Sequence, residues 1–149
     1  MLVTTTAADL LMGTGISGST TAAFTSTFSG AKLILATNQF QPSKTRALAD
    51  LQQPTYTGYA AQTLTWGAAT YDPNGQVVQF SNLLTFKATS GAVSITAYGF
   101  GITNAGGTVL YASDLFLSPL SLIDLNSTIN VIAALPLQIS QTGQAVAFQ

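Results

Sequence analysis

The sequence AVSITAYGFGITNAGGTVLYASDLF, residues 92–116, decides the fold class. Apolar and polar residues alternate along it, which is typical of β-strands with one buried face. Asn104–Gly107 has the composition of a tight turn, so a hairpin is predicted between strands over 92–103 and 109–116. Beside Gly99 the alternation changes parity, which predicts a β-bulge there. The alternating apolar residues are Val93, Ile95 and Ala97 before the change, and Tyr98, Phe100 and Ile102 after it.

Strand patterns continue on both sides of this hairpin, and they predict strands at 31–37, 55–66, 77–88 and 128–139. One connection, 47–51, is predicted to form a helical turn. The other connections, at 41–46, 72–75 and 118–126, are predicted to be loops or turns. Two of the strands are predicted to gather apolar residues on one face: Tyr56, Leu64 and Trp66 in one, and Val78, Phe80, Leu84, Phe86 and Ala88 in the other. Pro136 cannot donate to a β-ladder, so its end of the last strand is predicted at a sheet edge or bulge.

About six strands with frequent turns and no long helix predict an all-β protein. The architecture expected is an antiparallel β-sandwich over residues 31–149, with a jelly roll as one topology that fits. Residues 1–30 differ in composition, because they are rich in Thr, Ser, Ala and Gly and contain one charge, Asp9. They are interpreted as an extended N-terminal arm that crosses a neighbouring surface, with a single helical turn at 7–12.

Composition excludes most kinds of enzyme. The 149 residues contain no His, no Cys and no Glu, and only 6% are charged, against about 25% in an average protein. A Ser-His-Asp triad, a thiol nucleophile and a thiolate metal site are therefore impossible. We expect no catalytic residue, no metal site and no cofactor.

The charges that remain also limit the partners. The chain has only four cations, and they are scattered along it. This is too few to bind nucleic acid or an anionic membrane surface. The longest apolar run, 131–135, is far shorter than a membrane span. The N-terminus lacks the positive start of a signal peptide, which indicates use without secretion.

Uncharged polar residues replace the missing charges. The chain contains 22 Thr, 13 Ser and 11 Gln. A surface of this kind offers little electrostatic repulsion between copies. Such a surface is typical of a protein that packs against other protein molecules. The alternative interpretation is a soluble domain with a neutral surface.

Four short motifs are candidate binding, catalytic or modification sites. Gly13–Gly18 matches the glycine spacing of a dinucleotide loop, but no strand precedes it and no helix follows it, so a glycine-rich arm is favoured. Asp72, Asn74 and Gly75 offer oxygens to a calcium ion, but their spacing fits a plain β-turn better. Asp114 and Asp124 form a carboxylate pair only if a loop brings them together. Asn126–Thr128 matches a glycosylation sequon, a match that is common by chance.

Aromatic rings offer one further possibility. Rings stack on sugars, so a glycan-binding face is one interpretation of the tyrosines and the tryptophan, although Tyr56, Trp66 and Phe86 at strand parity are more typical of a core. The residues concerned are Tyr56, Tyr59, Trp66, Tyr71, Tyr98 and Tyr111.

Two blocks of the sequence resemble small structural proteins encoded in bacteriophage and prophage genomes. The family's pattern ADL…ATFTGYA…WGA is similar to Ala49–Leu51 (ADL), Tyr56–Ala60 (YTGYA) and Leu64–Ala69 (LTWGAA). Its hairpin pattern G…TNAAGT.L..AE.F is similar to Tyr98–Ala112 (YGFGITNAGGTVLYA), ending here at Phe116. The resemblance covers residues 31–140. Asp114 stands about where the family often has Glu, and the long arm is unusual.

The resemblance implies a virion component, and its motifs carry no catalytic residue. The function expected is a non-enzymatic capsid decoration (cement) protein on the outer capsid surface, assembled in the host cytoplasm. Its expected partners are the major capsid protein and further copies of itself, as a homotrimer, with the arm gripping the shell. The alternative is a tail or fibre component that binds a host glycan or receptor through exposed tyrosines, namely Tyr59, Tyr71 and Tyr98.

Overall fold

The computed structural model describes residues 2–3, 28–68, 70–71 and 77–137. Within these ranges the chain forms strands and one short 3₁₀-helix, Leu48–Asp50, which confirms the predicted helical turn. The strands are β1 (Leu2–Val3), β2 (Lys32–Ala36), β3 (Gln62–Thr63), β4 (Thr70–Tyr71), β5 (Val77–Phe80), β6 (Leu84–Phe86), β7 (Ile95–Thr103), β8 (Leu110–Leu122), β9 (Ile129–Val131) and β10 (Ala134–Leu137).

The strands form three antiparallel sheets in the described part of the chain. The largest has the order β1-β8-β7-β2-β3, the second β10-β5-β4, and the third β6-β9. The prediction of an all-β, antiparallel fold is therefore confirmed, while the sandwich, its jelly-roll variant and the boundary at residue 31 stay predictions. β1 comes from the predicted arm, and its Leu2 and Val3 lie opposite Ser113 and Ala112 of β8.

The predicted β7–β8 hairpin is present, and Asn104 organises its turn. The Asn104 N–H donates to the Val109 carbonyl at 2.9 Å. Its side-chain Oδ1 accepts hydrogen bonds from the backbone N–H groups of Thr108 (2.8 Å) and Val109 (3.1 Å). Gly107 has φ of 70°, a conformation that favours glycine. The side chain of Asn104 thus satisfies the backbone groups that the turn leaves unpaired.

β2 lies in the interior, as its apolar sequence predicted. Leu33 and Leu35 face the main core, whereas Ile34 and Ala36 face a second, smaller core. The main core includes Phe28, Phe86 and Ile102, and the second includes Phe40, Leu51 and Leu110. Because both faces of β2 are covered, its side chains are apolar at consecutive positions.

Three predicted elements were wrong in extent. Of 55–66, only Gln62–Thr63 is a strand, because the chain turns at Gly58, where φ is 95°. The predicted strand 77–88 divides into β5 and β6, and Phe80 is 49% exposed, so it does not share the buried face of Leu84. The predicted loop 118–126 begins only after Leu122, because β8 continues that far.

The last predicted strand was nearly right. It is interrupted between β9 and β10, but Ile129, Val131 and Ala133 are buried, as the alternation predicted. Pro136 lies in β10, at the edge of its sheet. The edge position predicted from the missing proline N–H is therefore confirmed.

Candidate functional site

β8 contains extra residues opposite Tyr98. Ala97 of β7 pairs with Leu120, and Gly99 pairs with Leu115, so two steps along β7 correspond to five along β8. The irregularity predicted beside Gly99 is confirmed in position, but not in strand: four residues of β8, 116–119, face the single residue Tyr98, so the extra residues lie in β8 and not in β7. The ladder is interrupted there, so this short stretch is free to bow away from the sheet.

A groove of about 530 Å³ lies beside this bulge. Its lining comprises three aromatic side chains, two glutamines, a leucine and a proline: Gln39, Phe40, Gln41, Tyr98, Leu115, Phe116 and Pro119. None of the seven carries a formal charge. The volume lies within the range of small binding sites in proteins, and the lining favours an uncharged, largely apolar occupant.

Arg46 fixes one wall of the groove. Its Nε and Nη2 both donate to the Gln41 carbonyl. Its guanidinium lies 5.2 Å from the centre of the Phe40 ring, a cation–π distance, and its Nη1 lies 3.7 Å from Asp50 Oδ2. The groove wall is therefore held in place without any bound partner.

The opposite wall is the bulge itself. The Phe116 ring packs against the Phe100 ring with centroids 5.6 Å apart, and the Leu115 N–H donates to Asp114 Oδ1 at 2.9 Å. Leu117, next along the chain, is 109% exposed, so its whole side chain lies in solvent. An anchored aromatic residue thus stands beside a projecting leucine.

Further apolar side chains are exposed in β5 and in the segments next to β5 and β10. Phe80, Leu83 and Ile132 are each about half-exposed. The neighbouring Gln79 is buried instead, where its Nε2 donates to the Gly67 carbonyl at 3.2 Å. β5 therefore places its polar side chain inward and its aromatic side chain outward, the reverse of an ordinary surface strand.

Of the six aromatic residues that were candidates for a glycan-binding face, the five whose side chains are described do not share one exposed face. Tyr111 is buried in the main core, and Tyr56, Tyr59 and Trp66 pack against it half-buried. Tyr98 alone lines the groove, and the Tyr71 side chain lies outside the described residues. Tyr59 is not the exposed loop residue that the tail alternative requires.

Tyr59 instead completes the edge of β2. β3 pairs with only Lys32 and Leu33, and beyond it the Leu35 N–H donates to Tyr59 Oη at 3.1 Å. The hydroxyl in turn donates to Gln53 Oε1 at 3.3 Å. Burial raises the pKa of Tyr59 to about 12, and the hydrogen bond from Leu35 opposes that rise.

Tyr59→Phe should destabilise the protein by about 1 to 2 kcal/mol at neutral pH, because the Leu35 N–H loses its acceptor. The raised pKa adds a pH dependence. The unfolded tyrosine ionises near pH 10 and the folded one near 12, so the contribution of Tyr59 is complete below pH 10 and is lost towards pH 12. Denaturant unfolding of the parent protein and of Tyr59→Phe should show that the difference between their free energies of unfolding decreases from pH 10 to pH 12. Gln53→Ala removes only the weaker hydrogen-bond partner of Tyr59, so it should lower the free energy of unfolding by less. Equal decreases in the two variants would contradict the role assigned to the Tyr59 hydroxyl at the edge of β2.

Asp114 and Asp124 do not form a pair. Asp114 lies opposite Phe100, whereas Leu122 lies opposite Ile95, five residues back along β7. At roughly 3.3 Å per residue this is about 16 Å, too far for paired-acid catalysis.

Asp124 has a local role instead. Its Oδ1 accepts the backbone N–H groups of Asn126 (2.8 Å) and Ser127 (2.7 Å), which lower its pKa. The sequon residue Asn126 is exposed in this same loop. Asp124 therefore shapes a turn, as aspartates commonly do.

Two of the weighed motifs, Gly13–Gly18 and Asp72–Gly75, lie outside the described residues. Among the residues that the structure does describe, no group of three or more His, Cys, Asp or Glu side chains is placed to hold a metal ion. No helix in the same ranges is long and apolar enough to cross a membrane.

The groove as a whole could not be predicted from the sequence. The sequence indicated the bulge and named Tyr98, but Gln41 lies in the predicted loop 41–46, far from Tyr98 in sequence, and Phe40 precedes that loop. Pro119 lies in the predicted loop 118–126, and because proline has no N–H to donate, it was a signal that regular pairing fails there.

Comparisons with known proteins gave no match: none to a protein-family model, none to a curated protein and none to a solved structure.

Proposed function

We propose that the protein is a non-enzymatic virion structural protein, a capsid decoration protein that stabilises a phage head. The observation that carries the proposal is the surface. Seven large apolar side chains are exposed in the described residues, on a chain of which only 6% is charged: Phe80, Leu83, Leu115, Leu117, Ile123, Leu125 and Ile132. Exposed apolar side chains gain free energy when another surface covers them, and few charges oppose such a contact here.

The proposed mechanism is mechanical. Copies associate as a homotrimer on the outer face of the capsid, contact the major capsid protein and use the arm, residues 1–30, to grip the shell. The virion setting is supported by the resemblance of residues 31–140, and the outward location by the scarcity of cations, since packaged nucleic acid attracts basic surfaces.

Native particles test this proposal directly. An image of the particle that traces side chains should show the chain in clusters on the outer capsid face. Density confined to the tail or a fibre tip would refute decoration and favour the alternative, a tail or fibre component that binds a host surface glycan or receptor. The groove beside Tyr98 is the observation that favours this alternative.

Removal of residues 1–27 should lower the occupancy of the protein on particles and their resistance to heat and dilution. The reason is that the deletion removes all but the last three residues of the arm, including β1, while keeping Phe28, which is buried in the main core. Particles reconstituted with full-length protein are the control, and circular dichroism checks that the shortened chain folds. Full occupancy and unchanged resistance with a folded, shortened chain would show that the arm does not grip the shell.

A further inference from the structure

The outer edge of β8, on the side away from β7, has little strand pairing in the described residues. β8 pairs with β7 along one side, whereas on the other side β1 pairs with Ala112 and Ser113 alone within the described ranges. Beyond Ser113 the strand carries exposed apolar side chains, of which Leu115 is 37% and Leu117 109% exposed. An edge of this kind is a template on which a strand of another molecule can add.

Charge does little to protect this edge. Proteins commonly place lysines or other charged side chains on edge strands, because like charges on adjacent strands oppose pairing. In residues 110–122 Asp114 is the only charged residue, and only 6% of the whole chain is charged. A different device is therefore required to keep other strands from pairing with β8 at this edge.

The bulge in β8 and its proline supply such a device. Four residues of β8, 116–119, face the single residue Tyr98, so an added strand of ordinary spacing cannot stay in register with β8 across them. Pro119, the last of the four, has no N–H to donate to a further strand. We propose that the bulge at 116–119 and Pro119 close the outer edge of β8 against strand addition, so that copies of this chain do not join sheet to sheet.

Two other sheet edges are also closed without charge. Beyond β3, the Leu35 N–H of β2 donates to Tyr59 Oη at 3.1 Å. The Thr37 N–H, just past the end of β2, donates to the Gln52 carbonyl at 2.8 Å. Pro136 lies in β10, an edge strand of the second sheet. Closure by a hydroxyl, a loop and a proline suits a chain that has few charges to place at its edges.

A variant with a more regular β8 edge tests the proposal. Deletion of Leu117 and Ser118 together with Pro119→Thr, here the regular-edge variant, shortens the bulge and provides an N–H where proline has none. Removing two residues keeps the later side chains of β8 on their faces, because side chains alternate with a period of two. During incubation of the full-length chain at room temperature, this variant should lose about half of its soluble protein to aggregates that bind thioflavin T, while the parent protein stays soluble. Pro119→Thr alone should show the same loss to a smaller extent.

Two controls separate strand addition from a loss of stability. Ser121→Lys, added to the regular-edge variant, places a charge on an exposed position of β8, so the soluble fraction should return to that of the parent protein. Pro42→Thr changes a proline outside every described strand and should aggregate no more than the parent protein. Circular dichroism and melting temperatures, measured before incubation, show which variants are folded. Folded regular-edge and Pro119→Thr proteins that stay as soluble as the parent protein overturn the proposal, and so does aggregation that Ser121→Lys leaves unchanged.

Occupancy on particles separates this inference from the proposed function, beyond which it goes. If the regular-edge variant aggregates and Ser121→Lys restores its solubility, edge closure stands even where no copy of the parent protein lies on a capsid. If the parent protein lies in clusters on the outer capsid face and the folded regular-edge variant stays soluble, decoration stands and edge closure fails.

Discussion

Gly99→Ala is expected to destabilise the protein by about 3 kcal/mol, because the added methyl group would collide with the backbone of the neighbouring strand. A Cβ at this position would overlap the carbonyl oxygen of Asp114 and lie 3.0 Å from the Phe40 ring. A carbonyl in a β-ladder cannot rotate aside as a side chain can. Either β8 or the Phe40 wall must move, so the groove should be distorted as well.

Gly106→Ala is the matched control. Gly106 lies in the exposed turn of the same hairpin, and its nearest neighbour to an added Cβ is 3.7 Å away, an ordinary contact. Its stability should stay within about 0.5 kcal/mol of the parent protein. Urea unfolding measures both variants, and equal losses would show that the close approach at Gly99 is not a structural constraint.

Phe86→Ala is expected to cost about 4 kcal/mol, which is a large part of the stability of an ordinary domain. Phe86 is only 1% exposed, and its ring stacks on Tyr59 with centroids 6.1 Å apart. Truncation leaves a cavity between β6 and the Tyr59 segment, and the melting temperature should fall by about 10 °C.

Phe80→Ala provides the comparison, because it removes the same group from the outer face of β5. Phe80 is 49% exposed, so its loss should cost about 1 kcal/mol or less in the isolated protein. Calorimetry of Phe86→Ala and Phe80→Ala compares their melting temperatures, which should fall much more when the core residue Phe86 is removed than when the half-exposed Phe80 is removed. Similar melting temperatures would contradict the inverted orientation of β5.

The β7–β8 hairpin shows why much of the fold could be predicted from the sequence. Its turn is specified locally by Asn104 and Gly107, and the parity change beside Gly99 lies within one strand. Both signals depend on residues close together in the chain. The buried strand β2 was predictable for the same reason, since a run of apolar residues with both faces covered has few alternatives.

The division of 77–88 was not predictable, because the signal is not local. Phe80 and Leu84 have the same parity, and Asn82 is the one polar residue at that parity between them. The break is made by Ser81, whose Oγ accepts the Ala133 N–H at 2.9 Å and whose own N–H donates to the Ala133 carbonyl at 2.8 Å. A partner 52 residues away therefore decides where β5 ends.

The candidate groove was predictable only in part, also because its walls come from distant residues. The bulge supplies Leu115, Phe116 and Pro119. Phe40, which belongs to the second core, lines the same groove from a distant segment, and Arg46 lies over the Phe40 ring from the loop that follows. Four cations in the whole chain gave little reason to assign Arg46 a role at an aromatic ring.

The position of β1 has a consequence for synthesis. Ser113, the strand partner of Leu2, is synthesised 111 residues after it, by the difference of their numbers. At about 5 to 20 residues per second, ribosomes need roughly 5 to 20 s to cover that distance. β1 thus waits longer for its strand partner than any other paired strand in the described residues, because no other described pair of strands is so far apart in sequence.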